Sequence, residues 1–346
     1  MQTFPCASCG AELHFQAGTE ALVCGYCGDK QLIQAKPESK IREYDFSQAL
    51  YHLKQISPAQ LIKNASSIRC DSCGAQCITA EQADHCAFCG SSMIIALATA
   101  ESIILPESVL PFQINQNQAK EQLRIWIRQR WFAPNNLQKK AQFLGVTGVY
   151  LPYWSYDSQT TTKYTGKRGK ETGSGKSRKI RWSLVAGMVQ VSFDDVLVCA
   201  SHSLPQKLID RVEPWDLPAL RAYDPAYLSG FVAERYQIGL EDGFPTAHEK
   251  MQSQIRTVIQ QDIGGDAQQI ITMEIQHAEV KFKHFLLPLW ISSFRYRDKI
   301  FRIIVNARTG EVSGERPWSI SKIACLVISM VMLIAVIIFV KNSFVG

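Results

Sequence analysis

Eight of the eleven cysteines in this 346-residue chain form four Cys-x2-Cys pairs, all before residue 90. The first set is Cys6, Cys9, Cys24 and Cys27; the second is Cys70, Cys73, Cys86 and Cys89. Each pair is followed by glycine, at Gly10, Gly28, Gly74 and Gly90. A CxxCG turn aims two sulfurs at one ion, and the glycine lets the backbone pass close behind them. Two such knuckles supply four thiolates in a tetrahedron, the closed geometry of structural Zn²⁺. Fourteen residues part the pairs of the first set and twelve those of the second, room for a hairpin as in a zinc ribbon. The segment "ELHFQAGTEALVC" predicts short strands on either side of Ala17-Gly18. Two structural Zn²⁺ sites are expected, with iron in a rubredoxin-like four-cysteine centre as the alternative. Cys77 and His85 lie beside the second set, as substitute ligands or as ordinary loop and core residues. Modules this small are expected to draw most of their folding free energy from the metal. Clustered CxxC pairs read as metal ligation in a reducing compartment, whereas disulfides belong to secreted chains.

The stretch "GKETGSGKSRK" (169–179) looks at first like a phosphate-binding loop. G-x-x-x-x-G-K-[ST] counted back from Gly175 needs glycine at 170, where Lys170 stands; Gly169 is one place early. Such a loop must also follow a buried strand and open a helix. Here polar "SQTTTKYTGKRGKE" precedes it, and the strand-like "KIRWSLVAGMVQVSF" follows. What the stretch has is charge: Lys163, Lys167, Arg168, Lys170, Lys176, Arg178, Lys179 and Arg181 against Glu171 alone, while the whole chain is only +6. It is expected to be a basic tip between two strands. One reading is a solvated loop with no partner. The others are contact with anionic lipid headgroups or with nucleic acid phosphates.

No catalytic set emerges. His202, His248, His277 and His284 are scattered, Cys199 in "FDDVLVCAS" reads as a small buried strand residue, and "DIGGD" (262–266) is a helix-ending turn. A non-enzymatic role is expected.

The positioning elements read as α+β. After a first module (1–36), a linker (37–66) holds a helix capped by Asp45 with Phe46, Ala49, Leu50 and Leu53 on one face. The second module spans 67–98 and an α+β domain 99–318. In that domain "NQNQAKEQLRIWIRQRW" is helical, with Ala119, Leu123, Trp126 and Ile127 on one side. "PTAHEKMQSQIRTVIQQD" is helical too, opened by Pro245. "MVQVSFDD" alternates as a half-buried antiparallel strand, with Val189, Val191 and Phe193 inward. Leu-Pro-x-Trp occurs twice, at Leu151–Trp154 and Leu287–Trp290, each after a helix and before a strand, which suggests a duplicated helix-then-hairpin module or a coincidence of four residues. The 18 uncharged residues from Ile323 to Val340 fit one transmembrane helix within 319–341, followed by a short tail, 342–346. Arg308, Arg316 and Lys322 precede it, and "MQTFPCASCG" shows no secretory signal. The expected location is the bacterial inner (cytoplasmic) membrane, single-pass, with the N-terminal bulk in the cytoplasm.

Several stretches carry a likeness: "CASCGAELHF", "LVCGYCG", "CDSCGA", "CAFCG", "LPFQI", "GVYLPYWSYD", "FDDVLVCAS", "EPWDL", "YLSGFVAE", "DIGGD", "FKHFLLPLWI" and "VNARTGEVSGERP". On these the chain resembles, nearly end to end, a family of bacterial double zinc-ribbon, membrane-anchored proteins. Members are often labelled primosomal protein N′, superfamily II helicase or transcription-factor-IIB-type zinc-ribbon protein; the helicase motifs those labels imply are missing here. The resemblance implies that the eight knuckle cysteines are metal ligands. It also implies neighbours of the phage-shock-protein-A-like and SPFH-type (flotillin-like) classes and a role in membrane organisation or stress. The expected function is thus a tail-anchored adaptor or scaffold that recruits protein partners. The alternative is a nucleic-acid-binding, replication- or helicase-associated zinc-ribbon protein.

Overall fold

A computed structural model of the chain describes residues 4–33, 41–55, 67–70, 75–78, 86, 88, 104–134, 137, 142–143, 145–173, 178–297 and 299–345. The chain opens with a three-stranded antiparallel sheet of β1 (Leu13–Phe15), β2 (Ala21–Cys24) and β3 (Lys30–Leu32). The turn falls at Ala17-Gly18 as the sequence predicts. Gly18 has φ of +81° there, and a Cβ on it would stand 3.0 Å from the Gln113 carbonyl. The expectation that this module leans mainly on a metal needs correction, because its apolar face is buried on the body. The Phe15 amide donates to the Ser229 carbonyl at 3.0 Å and the Gly18 amide to that of Phe112 at 2.9 Å. Leu13, Phe15 and Leu22 share one buried cluster with Phe112, Tyr150 and Trp290. Each buried side chain of this size contributes about 1.5–3 kcal/mol, so apolar burial supports the module alongside any ion.

Next come β4 (Tyr44–Asp45) and α1 (Phe46–Gln55). The Gln48 amide donates to Asp45 Oδ1 at 2.7 Å, the expected cap. The apolar face of α1 packs inward on the body: the Phe46 ring lies 5.0 Å from that of Phe244 and 6.0 Å from that of Tyr156. β5 (Ser67–Arg69) and β6 (Gln76–Ile78) then form a hairpin around Cys70.

The body follows in the order β7 (Ser108–Val109), α2 (Gln116–Arg128), β8 (Gln142–Phe143), β9 (Thr147–Thr172), β10 (Lys179–Cys199), α3 (Gln206–Ile209), β11 (Arg221–Ala222), β12 (Val232–Glu234), α4 (Leu240–Ile263), β13 (Ala267–Tyr296), β14 (Lys299–Asn306), β15 (Val312–Gly314) and α5 (Ile320–Val345). The strand order through its sheet is β11-β7-β13-β9-β12-β6-β5, with β10 beside β9 and β14 beside β13. β9 and β13 pair antiparallel and bring the two Leu-Pro-x-Trp segments together, Leu151 opposite Leu287. The halves match about that point. β7 runs parallel to β13, and β12 runs parallel to β9. The Gln113 and Ile114 amides donate to the Ala307 carbonyl, and those of Gln237 and Ile238 to that of Ala200. Trp290 Nε1 donates to the Ile114 carbonyl at 2.7 Å, and Trp154 Nε1 to that of Ile238 at 2.8 Å. Each tryptophan thus fixes the approach to the other half's helix. α2 carries the predicted face, with Ala119, Leu123, Trp126 and Ile127 buried, and Asn115 with Gln118 forms a capping box.

α4 begins five residues before the predicted start, so Pro245 lies inside it. Tertiary contacts decide this. The Trp154 and Ala200 bonds hold residues 237–238, and the Tyr156 hydroxyl donates to the Leu240 carbonyl at 2.7 Å. These contacts set the first turn where local propensity alone would have set it at the proline.

Beyond Asp157 the strands β10, β9 and β13 leave the body as a three-stranded arm. Bulges at Phe193/Val196 and Ala278/Lys281 flank the same stretch of β9, and Asp195 and Glu279 adopt φ of +55° and +51° there. α4 covers one face of the arm through Ala247, Met251, Ile255, Ile259 and Ile263, all fully buried. The other face is open. At the opposite end of β13, α5 begins against the segment 131–133: Lys322 Nζ donates to the Trp131 and Ala133 carbonyls at 2.8 and 2.9 Å. The 19 residues Ile320–Ile338 are long and apolar enough to cross a membrane, and none of that window is buried.

Candidate metal centre

The four cysteines of the first set come from two knuckles facing each other across the small sheet. In each, the first cysteine's amide donates five residues ahead: Cys6 to the Ala11 carbonyl at 2.7 Å and Cys24 to that of Asp29 at 2.9 Å. The glycine amide closes the turn backward, Gly10 to the Cys6 carbonyl and Gly28 to that of Cys24. Gly10 and Gly28 sit at φ of +77° and +78°, where a side chain is strained, so the CxxCG glycines answer a backbone demand. The four sulfurs lie within 4.8 Å of one another. Cys6–Cys27 is 3.5 Å and Cys9–Cys24 is 3.4 Å. A disulfide needs about 2.05 Å, whereas a tetrahedron of thiolates at about 2.3 Å from a metal has edges of roughly 3.8 Å. The cluster therefore fits one metal ion.

Its electrostatics point the same way. The backbone amides of Cys27 and Tyr26 lower the Cys24 thiol to about 6. The Asp29 amide pulls Cys27 down as well, but the neighbouring sulfurs of Cys9 and Cys24 outweigh it and push Cys27 up to about 12. Four thiols at this separation cannot all ionise on their own. A cation at their centre removes the repulsion.

The second set is described in part. Cys70 and Cys86 are buried, at 1% and 3% exposure, in a cluster with Phe88, Leu110 and Leu151. The Cys70 amide donates to the Ala75 carbonyl at 2.9 Å, the same five-residue bond as at Cys6 and Cys24. Cys73, Cys89 and His85 lie outside the described residues. Cys77 falls on β6, whose backbone pairs with β12 opposite Glu234.

No family model and no solved structure matches the chain. It is similar to the uncharacterized protein YdjG of Bacillus subtilis (strain 168). The two are 27% identical over 331 residues, which cover 93% of this chain and 92% of that one.

The basic stretch is a hairpin tip, and most of its charges sit on the strands themselves. Lys163, Lys167, Arg168 and Lys170 lie on β9, and Lys179 and Arg181 on β10, while Lys176 lies outside the described residues. Two cations have internal work: Arg168 Nε donates to the Ile263 carbonyl at the end of α4, and Arg178 pairs with Glu171 at 3.2 Å. Strand β10 follows the tip, where a phosphate loop would open a helix. The tip lies level with Ala267, whereas α5 starts near Arg297 at the other end of β13. At about 3.3 Å per residue the 30 residues of β13 run to roughly 95 Å.

Two polar clusters escaped the sequence reading because their members are far apart in the chain. Ser158 Oγ is 3.0 Å from His277 Nδ1, and His277 Nε2 is 2.8 Å from His248 Nδ1. Ser158 is 2% exposed, so this series ties α4 to the sheet from within. At the bulges Lys283 Nζ stands 2.8 Å from Asp195, 3.3 Å from Glu43 and 3.7 Å from Asp157. Carboxylates of Glu43, Asp157 and Asp194 lie within 4.8 Å of one another beside it. Cys199 is fully buried, and burial pushes its thiol up to about 12, which suits a packed strand residue.

Proposed function

We propose that the chain is a membrane-anchored adaptor of the bacterial cytoplasmic membrane face, with Zn²⁺ as the ion of both cysteine sets. One combination carries the reading: a four-thiol cluster docked on the body, and an apolar helix of membrane length with no buried residue in its apolar window. A closed thiolate tetrahedron holds structure and leaves no open position for chemistry. A helix that finds no protein to cover it is supported best by lipid. Arg308, Arg316 and Lys322 before the span favour the body on the cytoplasmic side, where thiols stay reduced. The body then offers exposed sheet and helix surfaces to protein partners. The resemblance to the double zinc-ribbon family implies neighbours of the phage-shock-protein-A-like and SPFH-type classes, and these are the partners proposed.

Elemental analysis of the full chain purified in detergent is expected to find about two Zn per chain. One equivalent, or iron, contradicts the metal reading. Crosslinking in native membranes followed by purification is expected to recover a specific protein partner. Finding none, together with an ATP turnover abolished by Lys176→Ala, overturns the adaptor reading. The exposed cations Lys163, Lys170, Lys179 and Arg181 support nucleic acid or anionic lipid as a second ligand. Salt-dependent DNA or RNA binding that falls on neutralising Arg178 and Lys179 is the result that favours nucleic acid.

A further inference from the structure

β10 is the border strand of the arm. From Ile180 to Phe193 it pairs with β9 on one side, and among the described residues no strand pairs with its other edge. The matching strand of the other half is treated differently, since β15 covers the outer edge of β14 at Ile303–Val305. Long edges are normally protected by charge, proline or a bulge. The run "WSLVAGMVQVSF", Trp182 to Phe193, has neither charge nor proline, and its bulge comes only at the end. On the open face Leu184 is 78% exposed, Met188 59% and Trp182 44%. Beside the base of this edge lies a cleft of about 620 Å³ lined by Asp194, Asp195, Glu213 and Trp215, with Lys250 as its cation.

We propose that β10 pairs edge to edge with β10 of a second copy, antiparallel about a two-fold axis at Gly187. The charges select this occupant and this register. One end of the strand carries Lys179 and Arg181, and the other carries Asp194 and Asp195. Self-pairing about Gly187 sets Ile180 opposite the partner's Asp194, so the basic end of each strand lies beside the acidic end of the other, where Asp194 is exposed and Asp195 is already paired with Lys283. The same register brings Arg178 and Lys179 of each chain to the end of the partner's strand, beside the cleft lined by Asp194 and Asp195. It also places Ala186 opposite the partner's Met188 on the open face, with Leu184 diagonal to that methionine, so the exposed apolar side chains cover one another. At the axis two glycines meet. On that side the Tyr164 hydroxyl stands 2.6 Å from where a Gly187 Cβ would be, so a larger residue at the axis would clash within its own chain.

The test uses the full chain in detergent micelles. Light scattering corrected for detergent is expected to give a protein mass of two chains, twice 38.9 kDa. A photo-crosslinking residue in place of Leu184 is expected to join the partner within residues 184–192. The double variant Lys179→Asp/Arg181→Asp and the single variant Asp194→Lys should each weaken self-association at least tenfold. Mixed together they should form a heterodimer at wild-type strength, because acidic and basic ends are then complementary at both junctions. All of these positions are exposed, and unchanged thermal midpoints and metal content confirm folding. A single-chain mass at tens of micromolar, crosslinks to lipid or detergent alone, crosslinks outside β10, or a mixture no tighter than the parents overturns the proposal.

Discussion

Trp154 and Trp290 occupy matched places in the two halves, and replacing either with phenylalanine should cost the same. Both indoles are buried, and each donates one hydrogen bond, at 2.8 and 2.7 Å, to the carbonyl just before a helix cap. Phenylalanine keeps an aromatic ring but leaves that carbonyl without its donor, at about 1–3 kcal/mol. The smaller ring adds a cavity cost of about 1 kcal/mol. Each variant should therefore lose about 2–4 kcal/mol. His284 pairs opposite Trp154, and Trp290 lies six residues further along β13, roughly 20 Å away. At that separation the losses should add to within about 0.5 kcal/mol in the double variant. Urea unfolding of the full chain in detergent, followed by fluorescence, measures all three. A loss below about 0.5 kcal/mol for either variant refutes the capping role. A large loss for one and none for the other refutes the equivalence of the halves.

His284 supplies a pH dependence. Its imidazole is buried, lies tilted 4.7 Å from the Trp154 ring and shares a 2.8 Å bond between Nδ1 and the Ile104 carbonyl; burial holds it down at about 4. Because the folded value lies below the unfolded value of about 6.5, its contribution is whole above pH 6.5 and is lost as pH falls towards 4. The loss is roughly 3 kcal/mol, and the wild-type minus His284→Asn difference in urea midpoint should change over that window and nowhere above it. Gly243→Ala should destabilise by about 1–3 kcal/mol despite alanine's helix propensity. Its Cβ would lie 2.6 Å from the Tyr156 hydroxyl, which is buried and bonded to Leu240; a rise in thermal midpoint contradicts this. Removing residues 320–346 should move the protein from the carbonate-resistant membrane pellet to the supernatant, and retention in the pellet would refute anchoring by that helix.

The sequence was most legible where one local rule governs. CxxCG spacing located the first cluster, since the turn needs its glycines at positive φ, and the period of α2 named its four buried residues. Asp45 announced α1, although nothing local could reveal that Tyr156 and Phe244 would cover its face. The arm was hard to see because Thr160 and Thr162 are buried while being polar, so β9 does not alternate in hydropathy as it does in burial. Pro245 misled because long-range bonds to residues 237–240 fix the start of α4. The Ser158–His277–His248 series and the Lys283 cluster depend on strand register, which no single segment encodes. The correspondence of the halves had a further legible trace: Phe112-Gln113-Ile114-Asn115 and Tyr236-Gln237-Ile238-Gly239 precede the two helices with similar residues.

That internal symmetry bears on ancestry. Each short strand lies against the other half's long strand, and each tryptophan secures the other half's helix. A unit of one helix and one Leu-Pro-x-Trp strand would therefore leave its own strand edge and its own helix approach unsatisfied. A half-length forebear could complete this centre by crossing over with an identical sister, Leu-Pro segment on Leu-Pro segment. The two hairpins differ in how they end: β15 covers the edge of β14, whereas among the described residues no strand covers the edge of β10.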